Sequence, residues 1–541
     1  MKEQHSIDQT IQANLQQFKK IGALTVRPGY KITNGWITRK PSIVVTVRVK
    51  RAKVSAKQMI PPKIGRYQTD VREATSWQKL RHEDPAQYGS LLAFDRPEYA
   101  QPEFPYERDA QSGQLLNAAI TQASLTLKEA KPKVPYRPPG GATLDPVSDT
   151  FTITICASPD AGWKELSQFL TGIDKELIVG MYDFTSAHVL DAVKVALNSK
   201  QTLSLVLDHP SLNATADQSD EQTEAALSKE LGGRQAFAWA AEAHDPMVSK
   251  SIFPSAYHIK VAVKDRRQFW LSSGNWNNSN QPDLGPGDPN QNHARVDPIA
   301  KNSDRDWHAI VDHPGLASTF AAYLENDLVS ASKLQAGRSD AKASFASLEG
   351  VTSKNPEKEQ KGLKAPKKYF PAKTITDRMT IQPVLTPDAG TGNYVQNLSK
   401  LINSAKKSVY IQLQYIHPAD PSKAPGMEVL IDALKSKIAA KLDVKIILSQ
   451  WEATASWLEL LQSAGIDVSS YVRIQHGVHN KGFVIDGRVV ALGSQNWSGD
   501  GVELNRDATL IIYHSDVAAY FSEIFLSDWS TLAERRLSTG A

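Results

Sequence analysis

One spaced set of reactive residues occurs twice in this chain, far enough apart that each copy needs its own folded repeat. His258-Ile259-Lys260 is followed after four residues by Asp265, and after six more by Ser272-Ser273-Gly274-Asn275. His479-Asn480-Lys481 is followed at the same spacings by Asp486 and by Gly493-Ser494-Gln495-Asn496. The flanks repeat too. A β-rich run at 152–156 precedes Ser158-Pro159-Asp160-Ala161-Gly162, and another at 380–385 precedes Thr386-Pro387-Asp388-Ala389-Gly390. Each copy continues with an amphipathic helix, a strand (177–182, 409–415), a helix (186–197, 428–439) and a strand (203–208, 444–449). The alternation implies an α/β architecture of duplicated domains, each a mixed sheet flanked by helices.

Within each motif the local pattern assigns directions. Residues i and i+2 of a strand face the same side, so each His points with its Lys, and Val261, Val263, Phe483 and Ile485 suit buried strand positions. The turns at Asp265-Arg266-Arg267 and Asp486-Gly487-Arg488 lead back into strands at 269–271 and 489–492, returning Ser273, Asn275, Ser494 and Asn496 to the same cleft. A neutral imidazole can attack phosphorus, and a protonated one can donate to the leaving oxygen. Cationic and amide donors such as Lys260, Lys481, Asn275 and Asn496 take up the charge that develops on a phosphodiester.

In these residues the sequence resembles the phospholipase D superfamily, whose signature is His-x-Lys-x4-Asp-x6-Gly-Ser-x-Asn. The second copy matches throughout, and the first departs only at Ser272, where glycine is usual. The resemblance covers about residues 145–541. It implies one active site shared by the two copies, a phosphohistidine intermediate and metal-independent hydrolysis, with no cofactor and no metal ligands. It also implies His258 as nucleophile and His479 as general acid and then base. An acidic residue after each motif holds an imidazole from its far nitrogen in this family. Asp306 in Asp304-Arg305-Asp306 and Asp507 in Asn505-Arg506-Asp507 are the candidates. The catalytic set expected is then His258, Lys260, Asp265, Ser273, Asn275, Asp306, His479, Lys481, Asp486, Ser494, Asn496 and Asp507.

Four regions follow: a basic module of no recognised family at 1–140, the first repeat at 145–335, a linker or mobile loop at 336–374, and the second repeat at 375–541. The module, a small α+β unit, has an amphipathic N-terminal helix, a β-branched strand at 42–49 and a helix at 113–127, and ends in a Pro- and Gly-rich boundary at 131–141. It carries 23 basic against 12 acidic residues, and no acid occurs between Asp8 and Asp70. Such a stretch suits a polyanion, either nucleic acid or an anionic phospholipid surface.

Lone Cys156 excludes an intrachain disulfide, and the absence of a signal core or long apolar run points to a cytoplasmic protein without a transmembrane segment. Both half-sites lie in one chain, so a monomer suffices. Together these features favour a nuclease acting on DNA or RNA; the alternative is a phospholipase D, or a phosphatidyl transferase, acting on glycerophospholipids. Three smaller readings complete the expectation. His476 with His479 is not a metal pair, Trp276 and Trp497 pack beneath the cleft, and the insertion from Gln281 is either a gating loop or a passive one.

Overall fold

The computed structural model describes residues 2–51, 53–55, 59–85, 88, 102, 104–116, 136–208, 217–241, 251–336, 364–388, 390–419, 424–451 and 453–537. The chain divides into two units: Met1–Lys131 with Gln450–Ile474 and Glu534–Ala541, and Pro132–Ser449 with Gln475–Ala533. The first unit is thus more than the N-terminal module, because it draws two segments from the second repeat.

In the first unit β1 (Thr25–Thr33), β2 (Trp36–Val47), β3 (Lys63–Ile64), β4 (Tyr67–Glu73) and β5 (Arg108–Asp109) form a sheet in the order β3-β4-β2-β1-β5. The helix Lys2–Ala13 sets Ile7 and Ile11 against Val26, Ile43 and Val45, as its amphipathic spacing requires. The helix expected from residue 113 does not start there. Gly113 takes a positive φ of 77° in a turn and Leu115 bridges Arg108, while residues 117–127 lie outside those described.

Several basic side chains of the module are paired inside the same unit. Arg27 and Arg72 both bind Glu459, Lys31 binds Asp70, Arg39 binds Asp467, Arg48 binds Glu83, Arg81 binds Glu107 and Arg108 binds Asp8. Burial opposes ionisation of Glu459, but the two guanidinium groups overcome it and hold the carboxyl down to about 2. Glu459 and Asp467, from far along the chain, offset two charges of the excess of 11 (23 minus 12) counted over residues 1–140, whose own acids supply the other partners.

The second unit is organised by one continuous sheet. Its strands are β6 (Val147–Ser158), β7 (Glu176–Met181), β8 (Thr202–Leu207), β9 (Gln235–Trp239), β10 (Lys260–Lys264), β11 (Gln268–Ser272) and β12 (Asp306–Asp312) from the first repeat. The second repeat gives β13 (Lys373–Thr386), β14 (Ser408–Leu413) and β15 (Asp443–Leu448), then, after β16 (Val472–Ile474) of the first unit, β17 (Lys481–Ile485), β18 (Val489–Gly493) and β19 (Asp507–Tyr513). The order β15-β14-β17-β18-β19-β13-β6-β12-β11-β10-β7-β8-β9 runs through equivalent strands in opposite directions from the β13–β6 seam. The duplication read in the sequence is thus a duplication of fold. β13 begins at Lys373 and Tyr369 and Phe370 are buried, so the described end of the expected 336–374 linker is built into the structure, while residues 337–363 lie outside those described.

At the seam the period-two pattern is plain. Phe151, Ile153 and Ile155 are fully buried, while Ser148, Thr152 and Thr154 face outward and hydrogen-bond Thr380, Thr376 and Thr374 at 2.7, 2.8 and 2.9 Å. Cross-strand pairs of this kind contribute roughly 0.2–1 kcal/mol each, so the buried apolar face carries the joint. Among the described residues no helix is long and apolar enough to cross a membrane.

Candidate active site

Both motifs form the hairpins expected, β10–β11 and β17–β18, each closed by a tight turn. Asp265 and Arg266 have φ of 53° and 50°, and Asp486 and Gly487 have 54° and 62°, the left-handed pair at the centre of a β-turn closed by Arg267 N–H to Lys264 O and Arg488 N–H to Ile485 O. The two aspartates stay at these turns. Asp265 accepts the backbone N–H groups of Asp174, Lys175 and Glu176, and Asp486 those of Lys406, Lys407 and Ser408. Each lies five positions beyond its lysine along the strand, about 17 Å. Asp265 and Asp486 are thus not in the reactive cluster, contrary to the expectation: they cap the start of the neighbouring strand, and the spacing of the motif is that of a hairpin arm.

At the other end of the hairpins the remaining ten residues converge. The strands start at the lysines, so His258 and His479 lie just before them, in segments bridged to the opposite repeat. Arg305 pairs with Val478 in a parallel bridge, His479 N–H donates to Arg305 O at 3.1 Å, and Arg506 N–H donates to Ala256 O at 2.8 Å. The acids that follow those arginines therefore reach across. Asp507 Oδ1 lies 2.8 Å from His258 Nδ1, and Asp306 Oδ1 lies 3.1 Å from His479 Nδ1. The motif serines complete the arrangement: Ser494 Oγ donates to Asp507 Oδ1 at 2.5 Å, Ser273 Oγ to Asp306 Oδ1 at 2.6 Å. Each acid is thus fixed by its own repeat's serine and serves the other repeat's imidazole.

This crossing rests on two buried arginines. Arg305 makes a two-point contact with Asp528 at 2.9 and 3.0 Å and binds Asp160 at 2.8 Å; Arg506 does the same with Asp327 and binds Asp388 at 2.9 Å. Asp160 and Asp388 belong to the repeated Pro-Asp-Ala-Gly string, whereas Asp528 and Asp327 come from the closing helix of the opposite repeat, Ser515–Thr531 or Pro314–Ala336. The repeated string and the Arg-Asp pairs are the visible signal of this interlock, which the sequence reading did not assign.

The reactive side chains are buried, and burial sets their electrostatics. Burial and the neighbouring Lys260 push the His258 imidazole down to about 3 against the pull of Asp507, and burial with Lys481 pushes His479 down to about 4 against Asp306. Burial lowers Lys481 to about 7 and takes Lys260 well below the usual lysine range. Burial disfavours the charged form of Asp306, but His479 and Lys481 prevail and hold it at about 2. An ionised carboxylate at Nδ1 fixes the proton there and turns the Nε2 lone pair outward. That nitrogen differs between the halves: Lys481 Nζ lies 3.0 Å from His479 Nε2, whereas His258 Nε2 has no partner among the described residues.

The supporting residues also differ. Tyr182 packs edge-on against His258 with centroids 4.8 Å apart and lies 5.0 Å from Lys260 Nζ; the equivalent position in the second repeat is Gln414. Ser272 Oγ bonds His308 Nδ1 at 2.7 Å, and His308 Nε2 bonds Ser158 Oγ at 2.8 Å. The matching Gly493 lies so close to Thr509 that an added Cβ would meet its Oγ1 at 1.9 Å. The serine in place of glycine thus belongs to a local rebuild around His308. Burial pushes that imidazole down to about 4.

Asn275 and Asn496 are buried, and neither amide oxygen has a partner among the described residues. Trp276 and Trp497 are fully buried and pack as expected. Gln281 is buried, and the insertion after it is anchored by Leu284, Val296, Ala300 and Tyr369. Among the described residues no group of three or more His, Cys, Asp or Glu side chains could hold a metal ion.

Comparison with known proteins adds a lineage. Residues 398–529 match the family model described as cardiolipin synthase, PLD-like domain. The cardiolipin synthase of Clostridium perfringens is 29% identical over 137 residues, 24% of this chain and 26% of that protein. Cardiolipin synthase 1 of Staphylococcus epidermidis is 30% identical over 178 residues, 31% of this chain and 34% of that protein. The chain therefore spans only about a quarter to a third of the curated relatives it matches. Among solved structures, the phosphatidylserine synthase of Haemophilus influenzae is 12% identical with a TM-score of 0.47, covering 71% of this chain and 88% of that one. A phospholipase D family member, Nuc from Salmonella typhimurium, is 21% identical with a TM-score of 0.23, covering 29% and 97%.

Proposed function

This chain belongs to the phospholipase D superfamily, and from that premise we propose that it transfers the phosphatidyl group of a glycerophospholipid, through a phosphohistidine, to an alcohol or to water. The observation that carries the chemistry is the crossed pair of Asp-held imidazoles. His258 Nε2 bonds phosphorus as the bond to the headgroup oxygen breaks, and His479 delivers a proton to that oxygen. His479 then takes the proton of the incoming hydroxyl as its oxygen bonds phosphorus and the N–P bond breaks. Lys260, Lys481, Asn275 and Asn496 balance the charge on the phosphoryl oxygens. The open Nε2 of His258 supports its role as nucleophile, and Lys481 Nζ against His479 Nε2, charged once the anionic substrate is bound, is a source for the proton that imidazole must acquire. Ser273, Ser494, Asp306 and Asp507 position the imidazoles.

The lipid rather than nucleic-acid substrate is supported by the cardiolipin synthase relatives. The test is incubation with phosphatidylglycerol and phosphatidylcholine, with and without added glycerol, beside plasmid and single-stranded DNA, all in excess chelator. Headgroup release or exchange that vanishes in both His258→Ala and His479→Ala is the expected result. DNA cleavage with inert lipid refutes the lipid reading.

A further inference from the structure

Three exposed large apolar side chains fall within one loop of the first unit, between β2 and β3: Val49 at 53%, Val54 at 45% and Met59 at 57% of full exposure. Val195, Val329 and Val429, by contrast, stand singly on helices, as scattered surface residues normally do. In the same loop Arg48, Lys50, Arg51 and Lys53 are exposed, and the described residues from 48 to 64 include no acid. At the root of the loop Glu83 pairs with Arg48 and Glu73 accepts the Lys50 backbone N–H, which fixes the base and leaves the side chains of Lys50, Arg51 and Lys53 forward of it.

We infer that this loop docks the protein on an anionic lipid surface, with Val49, Val54 and Met59 entering the headgroup layer and Lys50, Arg51 and Lys53 on the lipid phosphates. Charge complementarity selects the anionic partner, and the apolar side chains select a membrane. A phosphate backbone would reward the cations but leave three exposed hydrophobic groups in water, whereas a lipid interface takes up both. The inference deepens the phosphatidyl-transfer reading by naming the form in which substrate is met, and it rests on separate residues.

The experiment is sedimentation of the full chain with phosphatidylglycerol and with phosphatidylcholine vesicles, alongside binding to a DNA oligonucleotide and turnover of a short-chain phosphatidylglycerol below its micellar concentration. Wild-type protein is expected to bind phosphatidylglycerol vesicles and not phosphatidylcholine. Arg51→Gln with Lys53→Gln is expected to weaken that binding on the order of twentyfold, and Val49→Ser with Val54→Ser and Met59→Ser roughly tenfold. Turnover of the monomeric lipid stays unchanged in both, which also shows that the variants fold. Vesicle binding that is absent in wild type, or equal in wild type and both variants, overturns the inference. Loss of DNA binding with vesicle binding intact also overturns it, in favour of a nucleic-acid surface. Loop-dependent vesicle binding with no turnover of any phospholipid upholds the docking surface and removes the catalytic reading.

Discussion

The two half-sites hold the same reactive groups and differ in what lies behind them. In the first, His258 has Tyr182 at its edge and an open Nε2, and its hairpin is braced by Ser272, His308 and Ser158. In the second, Lys481 occupies the space at His479 Nε2, Gln414 stands where the tyrosine was, and Gly493 closes directly on Thr509. Duplication supplies two equal imidazoles, but phosphoryl transfer needs one to attack and one to carry a proton. The surroundings supply the distinction: one Nε2 is kept free and the other faces Lys481 Nζ.

The largest effect expected is loss of either imidazole. His258→Ala and His479→Ala should each cost about 10⁴-fold or more in turnover of a natural phospholipid. With an activated aryl phosphodiester, whose leaving group needs no proton, His479→Ala should still show a burst of aryl alcohol and His258→Ala none. Equal bursts from the two variants would break the assignment of unequal roles.

Next in size, Asp507→Asn and Asp306→Asn should each cost about 10²- to 10⁴-fold, because an amide cannot hold the productive tautomer. Asp507→Asn should resemble His258→Ala in the burst assay and Asp306→Asn should resemble His479→Ala. The reverse correspondence would mean that each acid serves its own repeat.

Smaller again is the interlock. Arg305→Met and Arg506→Met each leave two carboxylates buried without their partner, so thermal or denaturant unfolding should show a loss of about 3–5 kcal/mol. Destabilisation by one variant alone would show that the two repeats are not joined symmetrically.

The smallest effect concerns protons. Lys481 is held down to about 7, and an anion beside it favours its charged form, so phosphate binding at pH 8 should take up about one proton. Calorimetry in buffers of different ionisation enthalpy would detect it, and Lys481→Gln should reduce it. Heats independent of buffer would contradict the neutral resting state.

The repeat, its strands and the converging His, Lys, Ser and Asn residues were legible because they depend on local spacing: a period-two strand, a tight turn and a return strand fix relative positions within one hairpin. Asp265 and Asp486 were misread for the same reason, since proximity in the motif hides a strand's length between the turn and the site. Which imidazole Asp306 and Asp507 serve was not legible, because the answer lies in backbone bridges between repeats at Arg305–Val478 and Arg506–Ala256. The partners of Arg27, Arg72 and Arg39 were hidden similarly: Glu459 and Asp467 are some 400 residues away in sequence.

The crossed assembly of the site is tested most directly by rapid acid-free quenching with a labelled activated aryl phosphodiester, followed by mapping of the phosphoryl adduct in wild type, Asp507→Asn and Asp306→Asn. The structure predicts an adduct on His258 that forms far more slowly in Asp507→Asn and accumulates in Asp306→Asn. An adduct on His479, or one on His258 that depends on Asp306 and not on Asp507, would contradict it.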